Sequence, residues 1–305
     1  MKRLLVTGAS GLLGFSLAYQ VRDQFMVTGV ANRHDLRSAP FTLLVNDLTA
    51  PGSLEALYFA AKPEIIVHCA AIANLEQAEA NPTLAQRLNA EVPGEMASLA
   101  RQKGVQFLHI STDAVFDGTR GNYREEDTPN PLSVYARTKL AGEQAVTQAN
   151  PDALIARVNF YGWSLTGQRS LAEWFINNLK AGRRVTGFTD VFFGPLQVNL
   201  LVEILLKMLA RGLSGIYHVV SSETLSKYDF GVRLAERFGL NPELITPGVL
   251  ASSGLVARRS PRLTLDPAKL SLALGEPLPG QAAGIERLHQ QYLDGYPARI
   301  QALLT

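Results

Sequence analysis

The sequence lacks the features that stabilise secreted proteins or anchor a chain in a membrane. Among its 305 residues only Cys69 is a cysteine, so no disulfide can form within the chain, and a reducing cytoplasm is the expected location. No apolar run is long enough to span a membrane, because even "LLVEILLKMLA" is interrupted by Glu203 and Lys207. The apolar run after Lys2 and Arg3 is too short for a signal peptide. We therefore expect a soluble protein with no membrane partner.

An excess of charge of one sign is also missing. The chain has 29 Lys and Arg residues against 27 Asp and Glu residues, a formal net charge of +2 at pH 7. A nucleic-acid partner is not expected, because such partners are usually bound by strongly basic surfaces. Apolar residues make up 47% of the chain, which is typical of a packed globular protein and excludes a disordered one.

What the chain does contain is a regular alternation of strand and helix patterns. The predicted strands are "RLLVTG", "MVTGVAN", "FTLLVND", "PEIIVHCAA", "VQFLHIST" and "DALIARVNFYG". Helical patterns separate them, and "LVEILLKMLARG" with "GIYHVVSS" adds another helix and strand. This rhythm predicts an α/β fold with a Rossmann-type, doubly wound parallel sheet covered on both faces.

The alternation changes after Gly162, and from Glu223 onward helix and loop without strands are expected. We predict that residues 1–163 and 195–220 form a dinucleotide-binding domain. Residues 164–194 and 221–305 are predicted to form a smaller, mainly C-terminal substrate-binding cap over the carboxyl edge of the sheet.

A glycine-rich loop joins the first strand to its helix. In "TGASGLLG" the glycines are Gly8, Gly11 and Gly14, and Leu12 and Leu13 begin the helix. A tight turn without Cβ atoms lets the backbone approach a pyrophosphate, and the helix N-terminus presents free N–H groups to it. The spacing differs by one residue from the usual dinucleotide fingerprint. A purely structural turn is the alternative, but its place directly after the first strand favours cofactor binding.

The end of the second strand bears on the choice of cofactor. NAD usually requires an acid there for the ribose 2′-hydroxyl, whereas NADP requires a cation for the 2′-phosphate. The chain has Asn32 and Arg33 at this point, followed by His34. NADP(H) is therefore preferred, while Asp35 leaves NAD(H) open and a solvated loop arginine is the alternative.

Two further strand ends could meet the cofactor. Asp47 and Leu48 end the third strand, where the adenine would lie, and Ala70, Ala71 and Ala73 follow the fourth strand. Small side chains would let the cofactor lie close to the backbone, although they are equally compatible with close packing.

The chain contains two Tyr–Lys pairs four residues apart, a spacing that places both side chains on one helix face. "YFAAK" contains Tyr58 and Lys62, and "YARTK" contains Tyr135 and Lys139. The first pair lies between the third and fourth strands with no hydroxyl motif attached. We therefore interpret Tyr58 as an aromatic at the edge of the core and Lys62 as a solvated helix end.

The second pair follows the fifth strand, which ends with Ser111, Thr112 and Asp113. In open α/β folds ligands bind at this carboxyl edge of the sheet. A hydroxyl, the phenol of Tyr135 and the ammonium of Lys139 can therefore converge on one cofactor.

Together, "TGASGLLG", the "STD" strand end and "YARTK" resemble the extended short-chain dehydrogenase/reductase family, over essentially the whole chain. The branch typified by dTDP-4-dehydrorhamnose reductase is the most similar. Its pattern is matched by "CAAIANLEQAEANP", "LNAEVP", "STDAVFDG", "YREEDTPNPLSVYARTKLAGE" and "GIYHVVSSETLSKYDFG".

The resemblance implies a catalytic role for three residues. Tyr135 would be the general acid, and Lys139, together with the cationic nicotinamide of the oxidised cofactor, would lower its pKa. Lys139 would also hold the nicotinamide ribose, so that both residues contact the cofactor. Thr112 would polarise the substrate carbonyl, with Ser111 ranked second because neighbouring strand residues face opposite sides.

A nucleotide-sugar substrate and a homodimer are also implied by the resemblance. Asp113 and Trp163 are candidates for contacting the sugar, although Trp163 could instead pack under the cap. Arg259, between Arg258 and Arg262 in a basic cluster, is a candidate for the diphosphate, with solvated surface as the alternative. No metal ligand is assigned.

The expected activity is NAD(P)H-dependent reduction of a 4-keto-6-deoxy sugar nucleotide in carbohydrate biosynthesis. Ala114 follows Asp113, where similar sugar-nucleotide dehydratases carry a Glu, so dehydration is disfavoured. Two alternatives stay open: a nucleotide-sugar epimerase, which "RVNFYG" favours, and a non-catalytic NADP-binding regulatory subunit.

Overall fold

The computed structural model describes residues 1–32, 38–252 and 260–304. The strands are β1 (Arg3–Thr7), β2 (Met26–Ala31), β3 (Thr42–Val45), β4 (Ile65–His68), β5 (Gln106–Thr112), β6 (Leu154–Val158), β7 (Phe160–Tyr161), β8 (Val185–Phe188), β9 (Phe192–Phe193), β10 (Leu196–Gln197), β11 (Gly215–Val219), β12 (Leu225–Ser226), β13 (Ile245–Gly248) and β14 (Arg262–Leu263).

The α-helices are α1 (Leu12–Val21), α2 (Ser53–Ala61), α3 (Leu75–Ala80), α4 (Pro82–Gln86), α5 (Val92–Gln102), α6 (Val134–Ala149), α7 (Leu171–Lys180), α8 (Val198–Ala210), α9 (Lys227–Arg237), α10 (Ala268–Leu274), α11 (Gln281–Leu293) and α12 (Tyr296–Gln301). A π-helical turn, Arg87–Glu91, joins α4 to α5. None of the helices in the described parts of the chain is both long and apolar enough to cross a membrane.

Seven strands form one sheet in the order β11–β6–β5–β4–β1–β2–β3. All neighbouring strands in it run parallel. The chain builds outward from β1 to β3, then crosses back to β4 and continues to β11, so the order reverses between β1 and β4. The predicted doubly wound parallel sheet is confirmed, and ligands bind at such a reversal point in folds of this type.

Helices cover both faces of the sheet, and β1 shows how its sequence produces this arrangement. Leu4 and Val6 belong to one apolar core, which also contains Leu205 of α8. Leu5, between them, belongs to the opposite core together with Met96 of α5. Successive strand side chains point to opposite faces, so a continuous apolar strand serves two cores.

The two segments predicted to form the cap pair with each other through short strands. β13 pairs with β8, and β9 lies between β12 and β14. The expectation of helix and loop alone after Glu223 was therefore wrong, because the partner strand, not local alternation, stabilises these short strands. Leu270 and Leu274 of α10 pack into the core of the sheet, and the exact domain boundaries stay a prediction.

Candidate active site

A groove of about 420 Å³ lies at the carboxyl edge of the sheet, beside the loop after β1. The predicted cofactor residues that line it are Gly8, Gly11, Asn32, Asp47, Leu48, Ala70 and Ala71. Sequence analysis missed other lining residues, among them Ser10, Thr49, Ile72 and Arg169. The glycine loop and the strand ends therefore share one groove.

The glycine loop leaves no room for larger residues. Gly8 has φ +68°, and a Cβ there would lie 2.8 Å from the backbone nitrogen of Ala70. A Cβ on Gly14 would lie 2.2 Å from the carbonyl oxygen of Gly8, so α1 packs directly against the loop. This cradle and the groove beside it fit a dinucleotide whose pyrophosphate approaches the backbone closely.

The groove is not lined by the side chains of Leu12, Leu13 or Ala73, which were also predicted to bind the cofactor. The Leu13 side chain is buried in the core of the sheet, and Leu12 packs against the same core. Ala73 is exposed and does not line the groove. Leu12 and Leu13 could therefore contribute only their backbone N–H groups, which belong to the first turn of α1.

The carboxylate of Asp47, which lines the groove, is already engaged. Its Oδ1 accepts hydrogen bonds from the Thr49 hydroxyl at 2.6 Å and from the Thr49 backbone N–H at 2.9 Å. These bonds hold the pKa of Asp47 below its usual value. Arg33, His34 and Asp35 lie outside the described residues, so the preference for NADP(H) stays a prediction.

The catalytic candidates come together where β5 meets α6. The Ser133 hydroxyl caps α6 by accepting a hydrogen bond from the Ala136 N–H at 3.2 Å, which places Tyr135 in the first turn. Thr112 is the last residue of β5, and its hydroxyl, which donates to Asp113 Oδ1 at 3.1 Å, lines the same pocket as Tyr135.

Burial dominates the pKa of Tyr135 in the protein alone. It raises this pKa to about 12, the charge of Asp113 acts in the same direction, and the nearby Thr112 hydroxyl opposes them. The amine of Lys139, predicted to lower this pKa, instead donates to the carbonyl oxygen of Ile110 at 2.6 Å. Desolvation therefore dominates at this phenol in the protein alone, and the lowering expected with the oxidised cofactor bound stays a prediction.

Lys139 itself is 3% exposed. Burial lowers its pKa from 10.5 to about 8, and the Glu143 carboxylate, one turn further along α6, opposes the shift. The ammonium is therefore close to neutralisation under mildly alkaline conditions.

Two buried histidines, which sequence analysis missed, face Lys139. His109 Nε2 lies 3.3 Å from Lys139 Nζ, and the His109 ring stacks on His68 with centroids 5.6 Å apart. Burial, reinforced by the charge of Lys139, lowers the pKa of both imidazoles, that of His68 to about 3. Both rings are neutral near pH 7, so His109 Nε2 can accept a hydrogen bond from the ammonium.

The hydrogen bonds of Thr7 define the tautomer of His68. Thr7 Oγ1 lies within 3.1 and 3.2 Å of the backbone N–H groups of Cys69 and Ala70. Accepting from both leaves its hydroxyl proton for His68 Nδ1, 2.9 Å away. Thr7, directly before Gly8, is thus hydrogen-bonded to the histidine stack that contacts Lys139.

A buried ion pair decides between the two strand-end hydroxyls. Ser111 donates to the Glu143 carboxylate at 2.5 Å, and Arg157 pairs with that carboxylate at 2.7 Å, both side chains being 2% exposed. Ser111 thus points toward this pair while Thr112 points toward Tyr135. The alternation of side chains along β5 separates the two hydroxyls and favours Thr112.

A second pocket, of about 200 Å³, is lined by Thr112, Tyr135 and Asp113 and also by Asn159 and Lys227. Asn159 donates to the Asp113 carboxylate at 2.5 Å. Burial raises the pKa of Asp113 to about 6 although this bond opposes the shift. Asn159 and Lys227 lie within the quoted stretches "RVNFYG" and "GIYHVVSSETLSKYDFG" but were not predicted as site residues, because only the tertiary fold brings these distant segments to the pocket.

Trp163 does not line this pocket. It is buried among cap residues, packs against Phe238 and Tyr292, and donates its indole N–H to the Leu288 carbonyl at 3.0 Å. The packing alternative therefore fits Trp163 better than sugar binding, because its one polar atom already has a partner.

Neither pocket is lined by Arg262, Tyr58 or Lys62. Arg258 and Arg259 lie outside the described residues, and Arg262 is exposed on β14. Tyr58 packs at the edge of a core on α2, and Lys62 is exposed at the end of that helix, as interpreted from the sequence. No cluster of three or more His, Cys, Asp or Glu side chains in the described ranges could hold a metal ion.

The fold and this constellation define an oxidoreductase of the extended short-chain dehydrogenase/reductase class. The chain belongs to the RmlD family: the family model described as RmlD substrate binding domain matches residues 1–293.

Individual relatives are described with different functions. The chain is 34% identical over 275 residues to the probable low-salt glycan biosynthesis reductase Agl14 of Haloferax volcanii, covering 88% of this chain and 91% of that protein. It is 32% identical to dTDP-4-dehydrorhamnose reductase of Mycobacterium tuberculosis, covering 86% and 83%. It is also 31% identical to methionine adenosyltransferase 2 subunit beta of Pongo abelii, covering 91% and 84%.

Among solved structures, the chain resembles dTDP-4-dehydrorhamnose reductase of Bacillus anthracis in complex with NADP. The TM-score is 0.85 at 26% identity, and 95% of this chain and 100% of that chain are covered.

Proposed function

We propose that this protein reduces the keto group of a 4-keto-6-deoxy sugar nucleotide with NADPH, or with NADH. The observation that supports the proposal is that Thr112 and Tyr135 line one pocket, at the same sheet edge as the dinucleotide groove. Relatives described as reductases of glycan biosynthesis and of dTDP-4-dehydrorhamnose support the same chemistry.

Each residue of the site can be assigned a role in this reaction. The glycine loop would hold the cofactor, and reduced nicotinamide supplies a hydride when bound. Because the pKa of Tyr135 is about 12, its Oη carries a proton at neutral pH that it can donate to the substrate oxygen. The Thr112 hydroxyl would orient that oxygen, and Lys139 would hold the nicotinamide ribose.

Asp113 and Asn159 would bind sugar hydroxyls; that both line the same pocket as Tyr135 supports this role. Arg259 stays a prediction for the diphosphate. The homodimer and the cytoplasmic location also stay predictions, the former testable by light scattering of the purified protein.

A non-catalytic regulatory subunit is the second candidate, favoured by the similarity to methionine adenosyltransferase 2 subunit beta. The pocket that Thr112 and Tyr135 share and the buried Lys139 count against it, because a binding subunit has no need of a proton donor. The epimerase alternative has no comparable support from the geometry.

The decisive experiment follows NADPH absorbance after purified protein is mixed with 4-keto-6-deoxy sugar nucleotides. Net NADPH consumption that is lost in Tyr135→Phe supports the reductase. Product isomerisation without consumption would support an epimerase, and NADPH binding without turnover would support the regulatory alternative.

A further inference from the structure

One arginine of the predicted cap lies in the dinucleotide groove. Arg169 lines it together with Gly8, Ser10 and Gly11, although it follows the glycine loop by more than 150 residues. Its side chain is exposed, and its guanidinium makes no hydrogen bond or ion pair with any other described residue. The charge is therefore available to a ligand in the groove.

A buried carboxylate holds the backbone from which Arg169 projects. Glu173 Oε2 accepts from the Arg169 N–H at 2.9 Å and from the Ser170 N–H at 3.0 Å, and Oε1 accepts from the Ser164 N–H at 2.6 Å. Ser170 and Glu173 also form a capping box at the start of α7. The backbone of Arg169 is thus held in place while its guanidinium stays available. This limits the entropy lost when the side chain binds an anion.

The charge balance of the groove indicates which anion this would be. Its charged lining residues in the described part of the chain are Asp47 and Arg169, and Asp47 is engaged by Thr49. A pyrophosphate has two negative charges, whereas the glycine loop offers only backbone N–H groups and a helix dipole. Arginine's planar fork suits two phosphate oxygens at once.

We propose that Arg169 binds the pyrophosphate of the nicotinamide dinucleotide, so that the predicted cap takes part in holding the cofactor. This inference rests on the proposed function. It differs from the role predicted for Arg33, because the pyrophosphate is common to NADH and NADPH whereas the 2′-phosphate occurs only in NADPH.

The test is a fluorescence titration of NADPH and NADH against the full-length protein at several salt concentrations. Arg169→Gln should weaken binding of both cofactors by a similar factor, about 10-fold, and should reduce the salt dependence of the dissociation constant. Arg169→Lys should recover part of the loss, since the charge returns without the fork. Arg183→Gln is the matched control, because this exposed arginine belongs to the same segment but does not line the groove.

The outcomes separate the inference from the proposed function. Equal affinities in wild type and Arg169→Gln would overturn the inference alone, as would a loss confined to NADPH, which would place the arginine at the 2′-phosphate. An equal loss of cofactor affinity in Arg183→Gln would also overturn the inference, because the effect would then come from the charge of the protein as a whole and not from a contact with the cofactor. A wild-type protein that binds neither cofactor would refute the proposed function itself.

Discussion

The burial of Lys139 predicts a specific pH dependence. Its pKa is lowered from 10.5 to about 8, which means that the charged form of the side chain is less favourable than in water by about 3 kcal/mol. Since the ammonium is the form proposed to hold the ribose, activity should fall as the pH rises through this value. Tyr135 cannot cause the same decline, because burial raises its pKa to about 12.

The assay is the pH profile of kcat/KM for NADPH-dependent reduction, since this parameter reports the ionisations of the free enzyme. Loss of one proton should lower kcat/KM by about 10-fold for each pH unit above about pH 8. The activity falls as the pH rises because Lys139 is charged only below its pKa, and burial moves that pKa to a lower pH than usual.

Two variants test the assignment. Lys139→Arg should remove the alkaline decline, because a guanidinium stays protonated throughout, although the larger side chain should lower the rate. Lys62→Arg should keep the decline, since this lysine has the same spacing from a tyrosine but is exposed. A decline that begins only above about pH 10, or one that persists in Lys139→Arg, would refute the reasoning.

Three further predictions concern neighbouring residues. Tyr135→Phe should lower kcat by about 100- to 10,000-fold with NADPH affinity retained, whereas Tyr58→Phe should be nearly neutral; equal losses would show that the wrong pair was chosen. Arg157→Met leaves the Glu143 carboxylate buried without its partner and should reduce the free energy of unfolding in urea by about 3–5 kcal/mol. Adding Glu143→Leu should restore most of the lost stability, and a double variant as unstable as Arg157→Met alone would contradict the pairing. For Asp113 the pKa of about 6 in the folded protein exceeds the ordinary 3.8. The folded state therefore holds this proton more tightly, and wild-type stability should decrease relative to Asp113→Asn, by up to about 3 kcal/mol, as the pH rises from about 4 to about 8. A stability difference that does not change with pH would exclude burial as the cause.

The parts of the site that could be predicted from the sequence share a local physical cause. Gly8 and Gly14 are recognisable because a tight strand-to-helix turn excludes Cβ atoms, and this requirement depends on the chain's immediate neighbours. Tyr135 and Lys139 are recognisable because helical periodicity places them on one face. Strand and helix patterns alternate locally as well, which is why the parallel sheet was predicted correctly.

The sequence by itself thus determined the doubly wound sheet, the glycine loop and the Tyr135–Lys139 pair. Tertiary structure decided which strand-end hydroxyl meets Tyr135, since that depends on which face of β5 packs against α6. It also decided the pKa values, because burial is a property of the whole fold. Asn159 and Arg169 reach their pockets only through long-range folding, so the sequence around them did not indicate these positions.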